Sequence, residues 1–196
     1  PPIKKNGPSK MGSVDIVFAV DNTGSMASIQ QKVKDNLVKF IDSINNAGTD
    51  DVRLGLVEYR DNVINKFTFS SGKWTSDSSD IEAGLTQLIN TNTGGTENAM
   101  ATLSDIVDSY SFRANEDGVQ KKHVVLVTNE DADDEAQLSS TLSKIQSNEV
   151  QVHGVYDYTA GISELRQIVN DTGGQEIDIS NSSWGDNLAM NVGTAI

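Results

Sequence analysis

Three oxygen-bearing side chains lie at alternate positions directly after an apolar run. Residues 14–20 are too few for a buried helix and have the β-branched, aromatic composition of an interior strand. Asp21, Thr23 and Ser25 follow this run, and a tight loop after the strand can turn their oxygens toward one point. One carboxylate and two hydroxyls suit a hard divalent cation such as Mg²⁺, at about 2.0–2.1 Å. Capping of the next helix is the alternative, but a cap needs only one such residue.

The composition of the chain excludes several other kinds of site. The 196 residues carry a formal charge of −13, and Lys and Arg never exceed two in a row, so nucleic acid and anionic membrane surfaces are poor partners. Because the chain has no cysteine, it can form no disulfide, thiolate nucleophile or cysteine-based zinc site. No apolar run approaches the ~20 residues of a membrane span, so direct membrane insertion is not expected.

The domain organisation follows from the two ends of the chain. Residues 1–12 are rich in Pro and Lys, which predicts a linker, and residues 13–196 are of a size for a single domain. The chain ends inside an apparent helix. We therefore expect this domain to be part of a larger multidomain protein.

Strand-like and helical patterns alternate along the chain, which predicts an α/β fold. The strand-like runs cover residues 14–20, 52–59, 66–70, 123–128, 150–156 and 176–179. Helical spacing covers residues 28–45, 80–88, 100–107, 134–147, 162–169 and 186–196. The short link at 60–65 predicts a hairpin, so the third strand is expected to be antiparallel and at the edge. Short connections elsewhere predict a doubly wound, mostly parallel central sheet with helices on both faces.

The two most apolar strands, at 14–20 and 123–128, are expected to be central neighbours. In doubly wound sheets, ligands bind beyond the carboxyl ends of the strands, where the strand order reverses. This switch point is therefore predicted between the loop at 21–25 and the loop at 128–131. The turn-rich loop at 91–98 is the expected third contributor.

The segment Asp21-Asn22-Thr23-Gly24-Ser25-Met26 resembles the first motif of the metal-ion-dependent adhesion site of von Willebrand factor type A domains. Gly94-Gly95-Thr96 is similar to the segment that holds the family's ligand threonine, and the likeness extends over residues 13–196. The chain looks most like modules of bacterial surface or secreted proteins. The resemblance implies a Rossmann-like fold and a bound divalent cation, with Mg²⁺ favoured and Mn²⁺ or Ca²⁺ as alternatives. It assigns the metal ligands to Asp21, Thr23, Ser25, Thr96 and Asn129.

The last of these positions departs from the family pattern, because Asn129 stands where the family has an aspartate. Asparagine keeps an acceptor oxygen and removes a negative charge. Its side chain can hold a metal-bound water at reduced affinity, or Glu130 or Asp131 can take its place. We favour an Asn129 side chain that holds a metal-bound water, since a register change of one or two residues would move the ligand out of position. The N129D substitution is then expected to tighten Mg²⁺ binding.

In the family, one coordination position of the metal stays open for a carboxylate of a protein partner. The resemblance therefore implies a cation-dependent adhesion module that binds a protein with an acidic side chain, and no enzymatic activity. Residues at the rim are expected to select the partner; these are Asn22, Met26, Glu97 and Asp131. A bacterial cell-surface or extracellular location is favoured, with a cytoplasmic one as the alternative.

Two other functions are compatible with the pattern. An intracellular scaffold of a multiprotein complex would keep the fold without adhesion. A haloacid dehalogenase-like phosphotransferase also has an aspartate after its first buried strand, but it needs a second acid two positions later, where this chain has Thr23. His123 and His153 have no acid or nucleophile beside them in the sequence and are interpreted as structural. Trp74 and Trp184 lie in polar segments, and their sequence context does not decide between packing on the sheet and facing a partner.

Overall fold

Strands and helices alternate through nearly all of the chain in the computed structural model, which describes residues 11–195. The strands are β1 (Met11–Asp21), β2 (Thr49–Arg60), β3 (Val63–Lys66), β4 (Lys122–Thr128), β5 (Gln151–Tyr156) and β6 (Glu176–Asp178). The helices are α1 (Gln30–Asn46), α2 (Ser78–Ile89), α3 (Ala99–Ser109), α4 (Leu138–Ser147), α5 (Ser163–Asp171) and α6 (Trp184–Ala195). Short 3₁₀ turns precede α1 at Gly24–Ser28 and α4 at Glu135–Gln137.

The six strands form one sheet in the order β3-β2-β1-β4-β5-β6. All neighbouring pairs are parallel except β2 and β3, which are antiparallel. This confirms the predicted doubly wound sheet with one antiparallel edge strand. The order reverses between β1 and β4, so the switch point lies between the loops that follow these two strands, where the sequence placed it.

Strand β1 is buried on both faces because helices cover the sheet on both sides. Its alternate residues Ile16 and Phe18 pack into one core with α1, α2 and α6, where the ring of Phe18 meets that of Phe40 edge to face at 5.8 Å. Val17 and Ala19 pack into the other core, with α3, α4 and α5. Residues 16–20 of this strand are therefore apolar on both faces, and the buried Asp15 before them is paired with Arg53 and Arg113.

The predicted bounds of the third strand were wrong. The sequence placed it at 66–70 after a link at 60–65, whereas β3 covers Val63–Lys66. The turn into β3 is shorter than expected because Asp61 adopts a left-handed backbone conformation, with φ of 46°, which reverses the chain within two residues. Residues 67–76 then run irregularly along the sheet, with isolated bridges between Leu54 and Thr75 and between Phe69 and Gly72.

Three other boundaries differ from the sequence-based predictions. Met11 and Gly12, assigned to the linker, belong to β1, while residues 1–10 lie outside the described part of the chain. The helix expected at 134–147 is a 3₁₀ turn followed by α4, which begins at Leu138. Trp184 begins α6 and is fully buried in the core. Among residues 11–195, no helix is long and apolar enough to cross a lipid bilayer.

Candidate metal centre

Asp21 is the last residue of β1, and its carboxylate is fully buried and hydrogen-bonded on both oxygens. Its Oδ1 accepts from the Thr23 backbone N–H at 2.8 Å and from the Thr23 hydroxyl at 2.7 Å. Its Oδ2 accepts from the hydroxyl of Thr128, the last residue of β4, at 2.7 Å. The carboxylate is thus fixed between the ends of the two strands that flank the switch point.

A continuous series of oxygen atoms leads from Asp21 to the loop after β4. The Thr23 hydroxyl lies 3.2 Å from the Ser25 hydroxyl, which donates to Asn129 Oδ1 at 3.1 Å. The Asn129 amide in turn donates to the Ser25 carbonyl at 3.3 Å. Neighbouring ligands of an octahedral Mg²⁺ site are about 2.9 Å apart when each metal–oxygen distance is 2.0–2.1 Å. The spacing and chemistry of these oxygens therefore fit a small hard cation.

The loop that carries Thr96 is held by Asp61, a residue that sequence reasoning did not assign to the site. Asp61 Oδ1 accepts from the N–H groups of Gly95 and Thr96 at 3.0 and 3.1 Å, and its own N–H donates to the Thr96 carbonyl at 2.8 Å. Gly94 lets the loop approach, because a Cβ there would lie 2.3 Å from Asp61 Oδ2. The Gly24 N–H donates to the Gly94 carbonyl at 3.0 Å, which joins this loop to the loop after β1.

The structure thus brings four of the five predicted ligands into direct contact: Asp21, Thr23, Ser25 and Asn129. The fifth, Thr96, lies exposed on the adjoining loop, and its hydroxyl forms no hydrogen bond within the described residues. Its ligand role stays a prediction. The sequence gave no signal for Asp61 beyond a polar residue in a turn, since its contacts come from a loop more than thirty residues away.

Two of the four predicted rim residues were wrong, because Asn22 and Met26 are fully buried and cannot face a partner. The Asn22 amide donates to Glu58 Oε2 at 2.7 Å and to the Thr91 hydroxyl at 3.0 Å, so this residue joins β1 to β2 and to the loop after α2. Met26 lies in the 3₁₀ turn after β1, which directs its side chain into the core beneath the metal loop.

Glu97 is also buried, with only 3% of its surface exposed, so its rim assignment was wrong as well. Its backbone is tied to the loop after β4, because its N–H donates to Asp133 Oδ2 at 2.8 Å and its carbonyl accepts from the Asp133 N–H at 2.9 Å. The side-chain oxygen Oε1 is buried without a hydrogen-bond partner. Asp131 is partly exposed, and its rim role stays a prediction.

The electrostatics of the site favour a cation. Burial raises the pKa of Asp21, although hydrogen bonds from Thr23 and Thr128 oppose the shift, and the nearby charge of Glu130 raises it further. Burial and the adjacent Asp133 carboxyl raise the pKa of Glu97 to about 8. Within residues 11–195, no three His, Cys, Asp or Glu side chains are grouped to hold a metal. Besides the Asp21 carboxylate, a cation would therefore depend on hydroxyl and amide oxygens, which are ligands for hard metals.

Residues 15–190 match the sequence profile of the von Willebrand factor type A domain. The chain belongs to this family. No significant match to a curated protein sequence was found.

Solved structures show the same fold at low sequence identity. Proximal thread matrix protein 1 from the mussel byssus, in a form with a zinc-occupied MIDAS motif, matches with a TM-score of 0.70 and 19% identity, over 93% of this chain and 48% of that one. A von Willebrand factor type A protein from Catenulispora acidiphila matches with a TM-score of 0.70 and 16% identity, over 94% of this chain and 43% of that one. The pilus adhesin SpaC from Lactobacillus rhamnosus GG matches with a TM-score of 0.64 and 17% identity, over 94% of this chain and 31% of that one. The von Willebrand domain described here thus spans less than half the length of each of these chains.

Proposed function

We propose that this von Willebrand factor type A domain binds a divalent cation beyond the carboxyl end of β1 and uses it to hold an acidic side chain of a protein partner. The series of oxygens from Asp21 through Thr23 and Ser25 to Asn129 carries the proposal. It joins the ends of the two central strands, at the place where doubly wound sheets bind ligands. Thr96, on the adjoining loop, is the fifth proposed ligand.

Each of these residues has a distinct part in holding the metal. Asp21 provides the negative charge, and Thr128 keeps its carboxylate in place through the 2.7 Å hydrogen bond. The hydroxyls of Thr23 and Ser25 and the amide of Asn129 provide neutral oxygens. A cation held by so few negative charges stays able to accept one more anionic oxygen. Mg²⁺ suits this donor set best, with Mn²⁺ and Ca²⁺ as alternatives.

The solved structures support the proposal without extending their own functions to this chain. One of them is described with a zinc-occupied MIDAS motif, and another is a pilus adhesin. We infer from them a binding module with no catalytic role, located outside the cell or on its surface within a longer protein. A scaffold inside a multiprotein complex is the second candidate, and it predicts stability and partner binding that do not depend on a cation.

Thermal unfolding in EDTA and then in millimolar Mg²⁺, Mn²⁺ or Ca²⁺ tests the metal site. A cation that binds only the folded state at a hundredfold excess over its dissociation constant stabilises by about 2.7 kcal/mol. For a domain of this size, that corresponds to a rise in Tm of roughly 5–10 °C. We expect this rise in the wild type and in Asp42→Ala, which removes an exposed charge from α1, and not in Asp21→Ala. No rise with any cation, or the same rise in Asp21→Ala, would refute the site.

Carboxylate capture is tested separately with the Mn²⁺-loaded domain. Acetate that displaces a metal-bound water should lower the Mn²⁺-induced relaxation of water protons. Acetate that leaves the relaxation unchanged at saturating Mn²⁺ would contradict the adhesion part of the proposal while leaving the metal site intact.

A further inference from the structure

The proposed metal site has lost one negative charge relative to the family pattern, because Asn129 occupies the aspartate position. Among the residues in direct contact there, only Asp21 carries a charge. The amide of Asn129 is already engaged with Ser25 on both its oxygen and its nitrogen. Asn129 therefore adds no negative charge to the site, and another residue is needed to replace the charge of the family's aspartate.

Glu97 has the burial and the position to do so. It follows Thr96 directly, is 97% buried, and its Oε1 has no hydrogen-bond partner. Burial and the Asp133 carboxyl raise the pKa of Glu97, a hydrogen bond with the Thr23 hydroxyl lowers it, and the charge of Asp21 raises it further, so the carboxyl lies among Asp133, Thr23 and Asp21. The buried and likewise unpartnered hydroxyl of Tyr59 lies within range of the charges of Asp21, Glu97 and Asp134.

A structural role for the side chain of Glu97 accounts for only part of this arrangement, because its interaction with the Asp133 carboxyl leaves Oε1 without a partner. The loop is already fixed by the two backbone contacts of Glu97 with Asp133 and by Asp61, none of which uses the Glu97 carboxyl. Burying a carboxyl group without a full set of hydrogen bonds destabilises the folded protein. A buried acid with a free oxygen beside a second acid is favourable where a cation balances the two charges.

We propose that Glu97 provides the second negative charge of the metal site, in compensation for Asn129. In this chain the second charge lies on the loop that carries Thr96, beside Thr23, and not on the loop after β4. The proposal rests on the metal site put forward above, and it predicts that positions 97 and 129 are energetically coupled through the cation.

Calorimetric titration of Mg²⁺ at pH 8.5 into wild type, E97Q, N129D and the double variant tests the coupling. We expect E97Q to weaken Mg²⁺ binding at least tenfold, which corresponds to about 1.4 kcal/mol. N129D should tighten binding and should restore most of the affinity that E97Q loses. Glu135→Gln is the matched control, because it removes one exposed charge from the 3₁₀ turn that follows the loop after β4; at 0.15 M salt we expect it to change the affinity by less than about threefold.

The outcomes separate the two proposals. Wild-type affinity in E97Q, or equal losses in E97Q and Glu135→Gln, would overturn the role of Glu97 while leaving the metal site in place. No Mg²⁺ binding by the wild type would overturn the metal site itself. Melts in EDTA establish that each variant is folded. Should E97Q unfold, Glu97→Asp replaces it with the same expectations, since the aspartate side chain is one methylene shorter and its charge lies farther from Thr23.

Discussion

Lowering the pH is expected to destabilise the domain through two buried histidines whose ring nitrogens are all engaged. The Gln175 N–H donates to His153 Nδ1 at 3.1 Å, and His153 Nε2 lies 2.9 Å from His123 Nδ1. His123 Nε2 lies 3.0 Å from the Gln120 carbonyl oxygen. These partners assign one tautomer to each ring, with Nε2–H as the donor in both. A further proton on either ring would set two donors against each other.

The size of the effect follows from the pKa values. Burial lowers the pKa of His123 to about 4, although the hydrogen bond with Gln120 and the charge of Asp15 oppose the shift. Burial and the charge of His123 lower the pKa of His153 to about 3. Unfolded histidine takes up its proton near pH 6.5. Below that pH the unfolded state binds more protons than the native state, so stability falls. Between pH 7 and 5, each histidine contributes a loss of about 2 kcal/mol, or about 4 kcal/mol together.

Urea unfolding at pH 7 and at pH 5, in EDTA, measures this loss. We expect His153→Gln to lose about 2 kcal/mol less than wild type between these two pH values, because only one titrating ring remains in the variant. Comparing the two proteins isolates the histidine, since every carboxyl group is common to both. Equal losses in the two proteins would refute the reasoning, as would ring NMR signals of the native protein that titrate near pH 6.5.

Two further substitutions probe the loop and the core. Gly94→Ala places a Cβ 2.3 Å from Asp61 Oδ2 at a residue with φ of 88°, so we expect calorimetry to show Mg²⁺ binding weakened by about tenfold. Gly95→Ala, where a Cβ would meet no atom within 4 Å, should bind as the wild type does, and equal affinities in both variants would contradict this account. Trp184→Ala removes a fully buried side chain at the start of α6 and should lower the free energy of unfolding by about 3–5 kcal/mol. Urea unfolding checks this, and a loss below about 1 kcal/mol would mean that α6 contributes little to the core.

The sheet could be predicted because residues 16–20 of β1 and 124–127 of β4 are apolar on both faces, and both strands end abruptly in polar residues. Such runs leave little choice of position, and short connections fix the topology. The edge hairpin was less predictable. Its strand is only half-buried and has a weak pattern, with alternating exposed and intermediate residues. Its position depends on the backbone conformation of Asp61, which no local sequence signal specifies.

The candidate site could be predicted only as far as its local motif. Asp21, Thr23 and Ser25 are close in the sequence, so their alternation was visible there. The burial of Asn22, Met26 and Glu97 was not visible in the sequence, because it is decided by segments that are distant along the chain. The contact of Asn22 with Glu58 spans 36 residues, and so does that of Glu97 with Asp133. A polar residue beside a ligand looks the same in the sequence whether it faces solvent or the interior.

The contacts that join the two sides of the site also determine when it forms. Asp21 and Thr128 are 107 residues apart, and Ser25 and Asn129 are 104 apart. The chain must close this long loop, and β1 must pair with β4, before the oxygens can meet, which is a slow event in folding. Interactions that are absent from the transition state change the unfolding rate and leave the folding rate nearly constant. A cation bound between these loops would therefore prolong the lifetime of the native state without speeding its formation.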